Sequence, residues 1–151
     1  MKFNPIKSFT LAAIISVSAL PVAPVSAQDA IAERQQAMKS VGGAMRVVGG
    51  MARGQVDFDA AAALEAFETM NEVAGRYGSL FPEGSETGGE TEAKDTIWSD
   101  RAGFEAEIAK FESATAAAVA AAPQDMDSFR AAFGPVGQSC GSCHEVYRID
   151  K

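Results

Sequence analysis

Residues 125–148 read DMDSFRAAFGPVGQSCGSCHEVYR, and this stretch carries two messages at once. Met126, Phe129, Phe133, Val136, Cys140, Cys143 and Tyr147 recur in alternating steps of three and four. That is the spacing of a helix face packed into a bundle seam. Asp125 or Asp127 suits the N-cap of such a helix. Superposed on the seam is Cys140-Gly141-Ser142-Cys143-His144, the Cys-x-x-Cys-His pattern of covalent c-type haem attachment. Two thiols three residues apart can bond the two vinyl groups of one porphyrin, and the histidine directly after them can ligate the iron. On a helix the two cysteines differ by about 300° and share a face, with His144 at i+4 from Cys140. A haem is therefore expected against the inner face of this helix, near the C-terminal end of the chain. Gly134-Pro135-Val136-Gly137 is expected to interrupt the helix with a kink, because proline removes one backbone bond.

The chain has two cysteines and one histidine, all within that pentapeptide. Structural zinc takes four ligands, usually Cys or His, so a zinc site would need a carboxylate or a second chain. A thiol–disulfide oxidoreductase sets its Cys-x-x-Cys in a βαβ context, and no strand-like alternation precedes Cys140. A structural disulfide would leave His144 without a role. Peroxidase chemistry wants a distal acid–base pair, usually including histidine, and no nucleophile–base constellation remains. The reading is a haem protein and not an enzyme.

Working back toward the N-terminus, the remaining seams are also helical. Ile31, Met38, Val41, Met45, Val48 and Ala52 mark a first helix, ended near Gly54 as a left-handed cap. Leu64, Phe67, Met70, Ala74 and Tyr77 mark a second, capped at Asp57 or Asp59 and broken by Gly75, Gly78 and Pro82. Residues 84–90 have the composition of a loop. A third helix is expected from Thr96 to Ala122, on the stripe Ile97, Arg101, Phe104, Ile108, Phe111, Thr115, Ala118 and Ala122, stopped by Pro123. Four amphipathic helices give an all-α, antiparallel four-helix bundle with covalently bound haem near its C-terminus.

Residues 1–27 read as a cleaved signal peptide. Lys2 and Lys7 precede an apolar run from Phe9 to Leu20, and Val25-Ser26-Ala27 is a small-residue cleavage site. Residues 28–151 then form one exported domain. A bacterial periplasm fits, because haem is joined to thiols on exported chains. Loss of the two lysines takes the net charge from −7 to −9. An acidic surface argues against nucleic acid and anionic membrane, and suits steering toward a basic redox partner.

The group facing the iron's other side decides the function. A thioether sulfur is a familiar sixth ligand and raises the potential. Met38, Met45, Met51, Met70 and Met126 are the candidates. Arg34 lies four residues before Met38, on the same face, where it could meet a haem propionate. Methionine at a seam also fills core gaps well. Arg148 is i+4 from His144, beside the expected proximal ligand or a propionate; the plainer reading is a solvated arginine favoured by the helix dipole. Trp98 and Phe104 suit either core or haem packing.

The chain resembles the class II c-type cytochromes, the cytochrome c' family. The likeness runs through Arg34-Gln35-Gln36-Ala37-Met38-Lys39, Leu80-Phe81-Pro82, Thr91-Glu92-Ala93-Lys94, Ile97-Trp98 and Cys140 to Arg148. It covers nearly all of residues 28–151. The resemblance implies one haem c on thioethers from Cys140 and Cys143, with His144 as the proximal ligand. It implies that Arg34 and Gln35 contact propionates, that Thr91 and Glu92 belong to a loop closing over the haem edge, and that Met38 lies in the distal pocket. The family divides there. High-spin members are five-coordinate, with an apolar residue blocking the distal face or a methionine there that does not ligate, and bind NO and CO; low-spin relatives ligate a methionine sulfur and carry electrons. The sequence carries features of both, with a leaning toward Met38 ligation. The resemblance also implies a homodimer built on the first two helices; Gly42, Gly43, Gly49 and Gly50 would allow close approach there, or would only loosen the first helix, since interior glycine costs roughly 1 kcal/mol relative to alanine.

Overall fold

The computed structural model describes residues 26–149. The signal-peptide reading falls almost wholly on residues outside that range. The elements are α1 (Ala27–Ala52), α2 (Ala60–Tyr77), a 3₁₀ turn (Gly78–Leu80), α3 (Thr96–Ser99), α4 (Arg101–Ala121) and α5 (Met126–Tyr147). The four long helices form a four-helix bundle. Consecutive long helices pack along their lengths, whereas α1 and α5 touch only sparsely. The bundle is thus open along its α1–α5 seam.

Local chemistry sets the helix ends. Ser26 accepts from the Asp29 amide at the start of α1, and Asp59 accepts from the Ala62 amide at the start of α2. A reciprocal capping box between Asp125 and Ser128 starts α5. Gly54 ends α1 with a positive φ of 67°, a conformation glycine adopts without steric cost.

Two expectations need correction. The helix expected from Thr96 to Ala122 is broken at Asp100, whose backbone leaves the helical region (φ −122°, ψ 57°). The Asp100 carboxylate instead caps α4, accepting from the Gly103 amide at 3.2 Å, and also accepts from the Tyr147 hydroxyl at 2.9 Å. Gly103 permits this approach, since a Cβ there would collide with both groups. The other correction concerns Pro135, which does not interrupt α5: the helix runs through it to Tyr147. Pro135 and Ala131 are both exposed, a position at which water can serve the carbonyl that proline leaves without a donor.

The core is apolar and aromatic. Phe67, Phe104, Phe129, Met70 and Val136 are fully buried, each contributing roughly 2 kcal/mol through burial. The rings gather in two clusters. Phe129 contacts Phe58, Phe67 and Phe133. Phe81 contacts Tyr77, Trp98 and Phe104, which reaches Tyr147. Gly49 and Gly50 are buried under their own chain's Arg53 and Val56, so they do not offer a bare strip to another helix.

Candidate haem site

The open α1–α5 seam is a groove of about 800 Å³, within the range that holds small-molecule cofactors. One wall is α5, which brings Cys140, Cys143 and His144 to the groove together. Both thiols are free and half-buried. Burial pushes both up, and Cys143 reaches about 11 with further push from the Glu107 carboxylate and from Cys140. His144 is held below its ordinary value, first by burial and then by the Arg148 cation. That favours the neutral imidazole, the form that binds metals.

The opposite wall is α1. Of the five methionine candidates, Met38 and Met45 line the groove. Met51 and Met70 are packed in the core, and Met126 does not line the groove. Phe104, Ile108 and Phe111 supply the floor from α4, which settles Phe104 as a groove residue. Trp98 stands outside the groove; its indole donates to the Pro82 carbonyl at 3.2 Å.

A polar rim closes one end. Arg34 is 3% exposed. Its guanidinium donates to Ser85 Oγ at 3.0 Å, to the Ser85 carbonyl at 2.8 Å and to Thr91 Oγ1 at 2.7 Å. It also lies over the Phe81 and Trp98 rings at 5.1 and 5.6 Å. No carboxylate hydrogen-bonds to it among the described residues; burial lowers its pKa from the usual arginine value, and the nearby Tyr77 phenol and Glu86 carboxylate offset only part of that. A buried cation with no carboxylate in contact is costly, so an acidic group arriving beside it is welcome. Gln35 donates to the Glu90 carbonyl at 2.6 Å.

The loop continues as a clasp on the end of α5. Glu92 accepts from Arg148 at 2.9 Å. Backbone bonds run from Lys94 to the Tyr147 carbonyl and from Ile149 to the Glu92 carbonyl, forming an isolated bridge at Ala93 and Arg148. Lys94 Nζ donates to the Glu145 carbonyl. All nine residues read from the sequence therefore border one groove.

Sequence reasoning missed Tyr77 and Glu107 as groove residues. Tyr77 reads from the sequence as a seam residue of α2; burial pushes its phenol far above the ordinary tyrosine value. Glu107 accepts from Ser142 Oγ at 2.7 Å and from Lys110. The seam spacing held a signal, because Glu107 is i+3 from Phe104 and i−4 from Phe111.

The donor set fits a haem: two thiols and an imidazole on one wall, apolar side chains for a macrocycle, and an unpaired buried cation at the rim for carboxylates. A helical bundle with this attachment motif in its open seam defines a c-type cytochrome with a single haem. The comparisons narrow the class. The family model described as Cytochrome C' matches residues 29–148. A cytochrome c-556 from Agrobacterium fabrum is 33% identical over 94% of this chain and 96% of its own length. The solved cytochrome c' from Rhodopseudomonas palustris superposes with a TM-score of 0.78 at 34% identity, covering 82% of this chain and 98% of that one. A nitric oxide complex of a mutant cytochrome c prime from Alcaligenes xylosoxidans gives 0.72 at 33% identity, over 82% and 97%. The chain belongs to the cytochrome c' family, whose members carry one covalent haem c.

Proposed function

We propose that the protein is a periplasmic one-electron carrier, with haem held by thioethers from Cys140 and Cys143, by His144 on the proximal side and by Met38 on the distal side. The haem supplies a one-electron couple; the chain supplies ligands, dryness and orientation. The observation that carries the reading is the placement of Met38 on the wall opposite His144, in the same groove. A soft sulfur is already there, and no histidine remains to compete for the position. Arg34, Gln35, Thr91, Glu92 and Arg148 hold the loop and rim that would orient the propionates. Among the described residues no helix is long and apolar enough to cross a membrane, in keeping with an exported chain freed of its signal segment. The acidic charge suits a basic redox partner. Residues 28–151 are its working domain, and its role is transfer and not catalysis.

The test is optical. The ferric wild-type holoprotein is expected to be low-spin and to show the weak far-red band of a sulfur–iron bond, and Met38→Ala is expected to lose that band. A high-spin wild-type spectrum defeats the His/Met assignment. A second reading, a five-coordinate NO or CO binder, is favoured by the relative described as a nitric oxide complex. It predicts rapid CO binding by the untouched ferrous protein. A homodimer across the first two helices, which now rests on Gly43 because Gly42 lines the groove and Gly49 and Gly50 are covered, is checked by sedimentation.

A further inference from the structure

Ser142 occupies a variable position of the attachment motif, yet it is tied across the bundle. Its hydroxyl donates to Glu107 Oε2 on α4 at 2.7 Å. Lys110 donates to the other carboxylate oxygen, Oε1. The two partners are unequally placed: the Glu107 side chain keeps 14% of its exposure, Lys110 65%. Water screens the cation more than the anion. The carboxylate also lines the groove beside Cys140, Cys143 and His144.

The other carboxylates at this groove are differently engaged. Glu92 is paired with Arg148, and Glu90 is exposed. Among the groove's cations, Arg34 is bonded only to the neutral Ser85 and Thr91, Arg148 is paired with Glu92, and Lys39 and Arg46 stand exposed on α1. Glu107 is therefore a largely covered anion, held at fixed geometry against the attachment turn. A nearby anion stabilises the more positive, oxidised iron, and such charges are among the means by which a protein tunes haem potential.

We propose that Glu107 is a positioning residue that lowers the haem's reduction potential: through Ser142 it holds the Cys140–His144 turn, and it keeps one negative charge beside the groove. The proposal rests on the haem assignment above. The experiment is a mediator-coupled redox titration of holoproteins. Glu107→Gln keeps the side chain's shape and removes its charge. It is expected to shift the one-electron equilibrium toward reduction at least threefold, about 30 mV upward at 59 mV per tenfold, with ligation bands unchanged. Glu107→Asp is expected to stay nearer the wild type. A Glu107→Gln potential equal to that of the wild type, with haem attached, overturns the proposal. Should Glu107→Gln fail to fold, Lys110→Met is the second variant: it bares the carboxylate and is expected to shift the potential downward, and any other result overturns the proposal. Intact mass identifies haem on every sample, so a wild type lacking haem is recognised as a failure of the haem assignment itself.

Discussion

The two walls of the groove are built by different physics. The α5 wall is cross-linked by polar contacts: Ser142 to Glu107, Tyr147 to Asp100, Arg148 to Glu92 and Lys94 to the Glu145 carbonyl. Among the described residues, the polar ties from the α1 wall to the rest of the groove are at its N-terminal end, through Arg34 and Gln35. From there Met38, Val41, Gly42 and Met45 line the groove as apolar or bare surface, with the exposed Lys39 and Arg46 beside them making no hydrogen bond across it among the described residues. Hydrogen bonds have direction and fix atoms, whereas dispersion contacts are short-ranged and tolerate repacking. The lesson is a division of labour. The wall that carries Cys140, Cys143 and His144 is held in one geometry, while the wall that carries Met38 can exchange one side chain for another without loss of the scaffold.

The largest effects break the fixed wall. Replacing both Cys140 and Cys143 with serine is expected to abolish covalent haem, seen as loss of one haem in the intact mass and of haem staining after denaturing electrophoresis. Next comes the adaptable wall. Met38→Ala is expected to convert the ferric spectrum to high-spin and to open the ferrous protein to CO, while Met45→Ala leaves the spectrum unchanged. An unchanged spectrum in Met38→Ala, with conversion in Met45→Ala, would move the distal ligand two turns along α1.

Much of this contrast was readable in the sequence, and for physical reasons. Seams of three and four, with aspartate caps and glycine stops, report helix faces directly, so α1, α2 and α5 stand where the pattern put them. Asp100 escaped because a helical stripe spans it without a gap; only its bond to Gly103 and the reach of Tyr147 make it a cap. Pro135 does not interrupt the helix as its presence suggests, because the cost of proline depends on whether the orphaned carbonyl can meet water, which periodicity does not encode. Five methionines became two because groove lining is a property of tertiary packing. Arg34 was read as a propionate contact, but its commitment to Ser85, 51 residues away, lay beyond any local pattern.

Arg34 joins the loop to the weakly tied wall, so its removal sharpens the comparison through stability. Arg34→Met keeps an apolar stem but leaves the buried Ser85 carbonyl without its charged donor. With hydrogen bonds to charged groups worth about 1.5–3 kcal/mol, a loss of about 2 kcal/mol is expected in chemical denaturation, with faster proteolysis in residues 83–90. A smaller, pH-dependent effect belongs to the chain before haem attachment. Cys143 titrates near 11 in the fold against an ordinary 9.0. The folded state holds its proton more tightly than the unfolded chain, so the contribution is complete below pH 9.0 and is lost as pH rises toward 11. Attachment removes the thiol, so this step should be absent from denaturation curves of the holoprotein.

The smallest expected effect tests whether the clasp on the fixed wall is electrostatic or backbone in origin. Glu92 and Arg148 keep 39% and 51% of their side-chain exposure, and exposed pairs contribute about 0–1 kcal/mol, less in high salt. The Lys94-to-Tyr147 and Ile149-to-Glu92 bonds, at 3.0 and 2.8 Å, involve main-chain atoms alone and survive substitution of either side chain. Glu92→Gln should therefore cost under about 1 kcal/mol, with the difference from wild type shrinking as salt is raised, while amide exchange at Lys94 and Ile149 stays protected. Loss of that protection in Glu92→Gln would mean that the ion pair, and not the bridge, holds the loop against the end of α5. The α5 wall would then owe its fixed geometry to a surface contact as easily screened as any other.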